Sequence, residues 1–213
     1  MTTFWILIWI ILSTIILGAN IWSWVILYQQ KQAWESLARK YKMVFRKNRF
    51  LAPPELEGKI DDFQINMFTA ERKGIDIRTR RYMTVMEIVF PKPLVDGGAL
   101  GTPEMYIFIE SIGTVKPLNI DGVIFKEGVR LYSRNDDNVK AFMTPDRVEH
   151  INHIFSTRNV DILFIFSDNI SVLRIETADP MSDAVKLDKA IHRILTHTKA
   201  IQVNAPAPSQ PQN

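Results

Sequence analysis

This chain of 213 residues contains no cysteine, which excludes disulfides, thiolate nucleophiles and thiolate metal sites. Charged side chains are missing from residues 1–30, and Lys31 is the first to occur. A Gly-x-Ser-x-Gly elbow is missing as well, and no serine falls sharply between a strand and a helix, so a hydroxyl nucleophile has no framework. The glycine-rich residues 96–102 lack the Lys-Ser/Thr pair that a phosphate-cradling loop needs. We read residues 91–103 as one long hairpin loop, with Thr102 and Pro103 leading into a strand. The adjacent acids Asp61 and Asp62, and Asp136 and Asp137, fall in predicted turns, where carboxylates serve turn chemistry and do not define a catalytic pair. These absences favour a non-catalytic protein without a cofactor.

What the uncharged stretch does contain is an apolar run over residues 4–28, long enough as a helix (~37 Å) to cross a ~30 Å hydrocarbon core with some tilt. Trp5 and Trp9 stand near one end, and Trp22, Trp24 and Tyr28 near the other, as membrane-interface belts do. A cleaved signal peptide is the competing reading. It wants a basic start, a shorter apolar core and an A-x-A-like site, and residues 1–3 and 17–19 supply none of these.

Orientation follows from charge. Lys31, Arg39, Lys40, Lys42, Arg46, Lys47 and Arg49 are opposed over that stretch only by Glu35, which predicts a cytoplasmic body and an outside N-terminus. Setting these aside from the 26 basic and 23 acidic residues leaves 19 and 22, so the body is slightly acidic. The basic collar beside the bilayer suits anionic lipid headgroups, and the sequence gives no reason to expect nucleic acid.

The remaining chain suits one domain with a real core. Residues 29–43 continue the helix, with Trp34, Leu37, Ala38 and Tyr41 recurring on one side. Pro53 and Pro54 mark the start of the domain. Strands are predicted over 59–61, 63–69, 81–90 and 105–112, and a hairpin over 123–132 turns around Gly128; this argues for an antiparallel meander. Thr144, Pro145 and Asp146 open a helix to about Phe155 that buries Val148, Ile151, Ile154 and Phe155. Two strands, 160–166 and 170–176, follow. A last helix begins at Asp179 and Pro180 and buries Leu187, Ile191, Ile194, Leu195, Thr198 and Ile201. Residues 202–213 are too polar and proline-rich to pack.

The fold class is therefore α+β: one N-terminal transmembrane helix, then an antiparallel sheet backed by two C-terminal helices. The segments are 1–3 (N-terminal end), 4–28 (membrane helix), 29–50 (basic juxtamembrane segment), 51–201 (soluble domain) and 202–213 (tail).

Glu149, His150 and His153 sit close enough to suggest zinc, yet their order is not H-E-x-x-H and they fall opposite the apolar face, so we read a solvated surface and no metal site. His192 and His197 do not share a helix face. Arg72, Lys73, Arg78, Arg80 and Arg81 form a second basic cluster, read as a solvated, partly ion-paired turn. Ala19 and Ser23 make a small-x-x-x-small pair that permits a homo-oligomer.

The anchor, Trp34-x-x-Leu37-Ala38, Leu56-x-Gly58, a strand ending in Phe90-Pro91, and Met143-Thr144-Pro145 together resemble an uncharacterised family of small bacterial proteins with one N-terminal span and an α+β body. The resemblance implies a bacterial inner (cell) membrane location and transfers no active site. The leading expectation is an accessory or scaffold protein whose cytoplasmic domain binds a protein partner. The alternative is a domain that binds lipid or another apolar ligand between sheet and final helix; third comes an enzyme on a membrane substrate.

Overall fold

The computed structural model describes residues 2–47, 52–73, 80–111 and 115–203. The readings at Arg49, at Gly74 with Asp76 and Arg78, and for residues 204–213 lie outside them.

Helix α1 (Thr2–Tyr41) runs unbroken from the apolar stretch into the soluble body. It is long and apolar enough to cross a membrane. Three polar side chains of the apolar run bond back to the helix: Thr14 Oγ1, Asn20 Nδ2 and Ser23 Oγ donate to the carbonyls of Ile10, Ile16 and Ala19 at 2.8, 2.8 and 3.0 Å. Such back-bonding lets polar residues enter hydrocarbon without an unmet donor. Past the apolar run, Ala33, Trp34, Leu37 and Ala38 are buried, following the predicted 3–4 spacing. The helix ends where Lys42 adopts φ 56° and the Met43 N–H donates to Ala38 O at 2.9 Å, a cap in which glycine is commonest.

The strands among the described residues are β1 (Val44–Arg46), β2 (Glu55–Ile60), β3 (Phe63–Lys73), β4 (Arg80–Val89), β5 (Gly98–Gly101), β6 (Lys116–Pro117), β7 (Arg130–Ser133), β8 (Asp161–Phe166) and β9 (Val172–Thr177). They form one sheet in the order β1-β2-β3-β4-β9-β8-β5-β7-β6, and every described pair is antiparallel. The fold is α+β, as the sequence predicts.

Alternation along the strands gives the sheet two unlike faces. Met67, Met86, Ile175 and Ile162 lie in one register row and are buried. They face α4 (Pro145–Phe155), α5 (Ala184–Val203) and the inner part of α1, whose buried residues join them in one core cluster with Val139 and Phe142 of α3 (Asp136–Phe142). The next row, Glu57, Asn66, Glu87 and Arg174, points the other way and is polar until it reaches Leu163. At that end a helix, α2 (Tyr106–Ser111), covers the second face, packing Ile109 into a small cluster with Ala99, Tyr132 and Leu163.

Several boundaries differ from expectation, each for a local reason. The predicted strand 105–112 is a 3-10 turn at Pro103–Met105 followed by α2; Met105 and Ile109, four apart, are buried while Ile107 and Phe108 face out. The predicted loop 91–103 contains β5, an inner strand made of Gly, Ala, Leu and Gly. Glycine is required there: a Cβ on Gly98 would lie 2.0 Å from Phe166 Cε2. The hairpin over 123–132 keeps only its second half as β7, which pairs with β6. Asp136 and Asp137 lie in the first turn of α3, where acids complement the helix dipole, and Asn135 caps it by accepting from the Asn138 N–H. Thr144 is the N-cap of α4, but its hydroxyl makes no capping bond. Helix α5 starts at Ala184 rather than at Pro180, because Asp183 Oδ1 accepts from the Val185 and Lys186 N–H groups at 2.9 and 3.1 Å and takes the cap. Gln202 and Val203, assigned to the tail, complete α5.

Candidate functional site

Trp5, Trp9, Trp22, Trp24 and Tyr28 all turn outward from α1, as side chains at a bilayer interface would. The basic residues that follow are used more variously than a uniform collar would be. Lys31 is buried. Arg39 pairs with Glu35 at 2.6 Å and Arg46 approaches Glu57 at 3.6 Å. Lys42 and Lys47 are exposed.

Lys40 reaches Asp188 Oδ2 on α5 at 2.7 Å. Beside it the Tyr41 hydroxyl donates to Asp188 Oδ1 at 2.6 Å and meets His192 Nε2 at 2.6 Å. Burial opposes ionisation of Asp188, but the hydrogen bonds from Lys40 and Tyr41 outweigh it and hold the carboxyl below its usual range. This latch ties the last turn of α1 to the first half of α5. A helix rising ~1.5 Å per residue puts Tyr41 about 20 Å beyond Tyr28, so the latch stands well clear of the apolar segment.

The second face of the sheet carries an ion network that sequence spacing does not reveal, because its members come from four strands. Arg72 pairs with Asp161 at 2.6 Å and with Glu176 at 2.5 Å; Arg174 pairs with Glu176 at 2.7 Å and with Glu87 at 2.6 Å. The Arg174 guanidinium also lies 5.7 Å from the centre of the Phe68 ring. Next to the network, Arg46, Glu57, Asn66 and Phe68 line a shallow concavity of about 370 Å³. Of the second basic cluster, Arg72 is thus committed to ion pairs, while Lys73 and Arg80, and Arg72 and Arg81, are register partners on β3 and β4.

On the core side, a groove of about 340 Å³ opens between the sheet and the first half of α5. Its apolar wall comes from Met86, Ile175, Leu187, Ala190 and Ile194, and its mouth holds Arg158, Asp179 and Lys186. The volume falls at the low end of small-molecule sites, roughly 300–1,000 Å³. Sequence reading located the two elements that form this groove but not the space between them, which depends on how the 178–183 connection stands off the sheet.

The histidines come together across α4 and α5 in a way their spacing on either helix conceals. His150 Nδ1 lies 3.2 Å from His197 Nδ1, and the His153 ring stacks on His197 with centroids 4.8 Å apart. His150 is therefore half-buried against a partner rather than simply solvated. Burial, then the nearby His153 and His150, lower the His197 pKa below its ordinary value. Among the described residues no group of three or more histidine or acidic side chains is arranged to hold a metal ion.

Arg147, also missed, is only 1% exposed. Its Nη1 donates to Phe142 O at 2.9 Å and its guanidinium stacks on the Phe142 ring at 4.6 Å, so it caps the C-terminal end of α3.

No family model matches this chain, and no curated protein matches it. Among solved structures, the chain is similar to the crystal structure of the mycobacterial trehalose monomycolate transport factor A, TtfA, with a TM-score of 0.50 and 12% identity, over 84% of this chain and 98% of that one. At that identity the likeness concerns the fold.

Proposed function

We propose that this chain is a non-catalytic, single-pass accessory protein of the bacterial inner membrane that presents its cytoplasmic domain to a protein partner. The observation that carries this reading is the unequal covering of the sheet. One face is filled by helices, whereas the other leaves the Glu57–Asn66–Glu87–Arg174 row open and ends at α2, whose Ile107 and Phe108 are 72% and 50% exposed. Apolar side chains turned outward beside a polar, ion-paired surface are the composition of a docking face, with anchors near the centre and a polar rim. The acids of that surface are engaged by arginines, which leaves them poorly suited to acid–base chemistry.

A photo-crosslinking amino acid placed at Ile107 or Asn66, in native membranes, tests the reading. A protein adduct that forms from both positions, that disappears from the Asn66 probe with Ile107→Asp, and that is absent from the same probe at Val185 on α5, supports it. Equal labelling from all three positions, or only lipid adducts, refutes it. Cytoplasmic placement is tested separately by the accessibility of a cysteine introduced at Val185 to an impermeant thiol reagent.

A second reading, that the domain binds a lipid or another apolar ligand, is favoured by the groove between the sheet and α5. The similar structure is named for trehalose monomycolate transport, which fits an accessory role in moving an amphiphile.

A further inference from the structure

We infer that the projecting end of the β3–β4 hairpin is a second membrane contact, lying in the headgroup layer of the bilayer that α1 crosses and pairing there with anionic lipid phosphate. This goes beyond the docking reading, which concerns the open row of the second face and the surface of α2.

Chain direction sets the place of the hairpin. Helix α1 leads away from the bilayer, from Tyr28 to Tyr41, and the chain reverses at Lys42. Strand β1 therefore heads back toward the membrane. From Lys42, the eleven helical residues back to Lys31 and the five extended residues on to Lys47 each cover about 16 Å, so Lys47 draws level with Lys31. The electrostatics agree: burial, then the nearby charge of Lys47, lower the Lys31 pKa below its ordinary value. Strand β1 is antiparallel to β2, and β2 to β3, so β3 runs toward the membrane as β1 does.

The hairpin also outreaches its neighbours. Phe45, Leu56 and Met67 share one register row, and among the described residues β2 follows β3 no further than Met67. On the other side β9 follows β4 no further than Thr84. Beyond those points β3 and β4 run on as a two-stranded ribbon to Lys73 and Arg80. Lys73 lies six residues past Met67 and Lys47 two past Phe45, so the ribbon extends about 13 Å beyond the level of Lys47. Arg72, bound to Asp161 and Glu176, leans the ribbon over the second face and shortens that reach. Half of it still exceeds the ~4.5 Å of helix between Lys31 and Tyr28, where the apolar run ends.

Composition fits that depth. Residues 71–73 and 80–82 carry Arg72, Lys73, Arg80 and Arg81 against Glu71. Arg72 holds the ribbon to the sheet, while Lys73, Arg80 and Arg81 place positive charge at the membrane end of a slightly acidic body. Tyr82 is 70% exposed, and a ring with a polar tip favours the headgroup layer. Headgroups are hydrated, so the edges of the ribbon meet hydrogen-bonding groups there that hydrocarbon would deny them.

The experiment exploits the absence of cysteine, which makes a single introduced thiol a unique attachment point. Tyr82→Cys and, toward the opposite end of the hairpin's neighbour β2, Lys59→Cys each carry a bimane fluorophore on the full chain in nanodiscs. The lipid includes a headgroup nitroxide quencher in phosphatidylcholine alone or mixed with phosphatidylglycerol. The label at 82 should be strongly quenched in the anionic bilayer and the label at 59 unquenched. Each basic residue near the surface favours the anionic bilayer about fivefold, so combining Lys73→Gln, Arg80→Gln and Arg81→Gln should return quenching at 82 to its level in phosphatidylcholine. Hydrogen exchange in β8 and β9 confirms that each variant is folded.

Quenching at 82 no greater than at 59 in the anionic bilayer overturns the membrane contact and leaves the ribbon to water or to a protein partner. Quenching at 82 that is equal in the two bilayers, and unchanged in the triple variant, overturns the recognition of anionic lipid.

Discussion

Replacing Trp34 by alanine removes a fully buried ring from the place where α1 packs on β2 and α5. An indole buries about 150–250 Å², worth roughly 4–6 kcal/mol at ~25 cal/mol per Å². Measured Trp→Ala changes in cores cost about 3–5 kcal/mol. We expect Trp34→Ala to fall in that range. Trp34→Phe should behave differently, because Trp34 Nε1 is buried without a hydrogen-bond partner among the described residues. Phenylalanine keeps most of the packing and removes an unmet donor whose burial costs about 1–3 kcal/mol. The smaller ring leaves a cavity of comparable cost, so Trp34→Phe should change stability by no more than ~1 kcal/mol. The assay is hydrogen exchange of β8 and β9 amides in the full chain held in nanodiscs, where the slowest exchange reports global opening of the domain and the lipid-embedded helix adds nothing. Two results refute the reasoning: equal costs for Ala and Phe, or a cost for Ala below ~1 kcal/mol. Equal costs would mean that the packing is indifferent to how much of the ring remains, and a small cost for Ala would mean that the domain does not depend on the anchor helix for its core.

Glu176 is the hinge of the ion network, with a side chain only 8% exposed between Arg72 and Arg174; Glu176→Gln should cost about 1–3 kcal/mol in the same assay, and a cost near zero would show that the pairs are exchanged freely for water. Gly98→Ala should destabilise by about 1–3 kcal/mol or more, because the Phe166 ring is held in the core. Gly58→Ala, whose Cβ would lie 2.6 Å from Met43 Cγ, 2.7 Å from Met43 Cβ and 3.0 Å from Met43 Cα, should also cost about 1–3 kcal/mol, because atoms that close to the backbone cannot swing aside; a neutral effect would contradict the packing described. His197 supplies a pH dependence. Its folded pKa is below the unfolded 6.5, so the unfolded chain binds more protons between the two values. Stability should therefore fall as pH drops from 6.5 toward the folded pKa and level off below it, and His197→Asn should flatten that part of the profile.

The sequence announces the elements that rest on strong periodicity. Helix α4 begins and ends where Pro145 and Phe155 suggest, and the buried side of α5 from Leu187 to Ile201 is the predicted one. Strand β8 is legible as a short continuous apolar run and β9 from the alternation of Leu173, Arg174, Ile175 and Glu176, both flanked by turn residues. The failures share a different cause. Strand β5 has no β-branched or aromatic residue, and its place inside the sheet depends on how closely Phe166 and Ile109 approach its glycines, which is a tertiary fact. Met105 to Ser111 has strand-like composition, but its burial falls at a spacing of four once Pro103 opens a helical turn. The candidate sites were less legible still. The ion network joins β3, β4, β8 and β9, the histidines meet across α4 and α5, and the groove lies between β4, β9 and α5, and no spacing within one element predicts such meetings.

The two faces of the sheet make different demands on the anchor. A docking surface on the second face needs only that the domain be held near the membrane, which a flexible linker would achieve. Among the described residues there is no such linker after the apolar run: α1 carries Trp34 into the core and its last turn grips Asp188 and His192. Burial of Ala33, Trp34, Leu37 and Ala38 helps to hold the helix ordered through residues 29–41. The same packing fixes the first half of α5, and with it the wall of the groove. A chain built only to tether a partner gains little from that rigidity, whereas one that seats a ligand at a set distance from the bilayer depends on it. The latch at Asp188 is therefore where the anchoring and ligand-binding readings meet, since loosening it should disturb the groove while leaving the Ile107 and Phe108 surface unchanged.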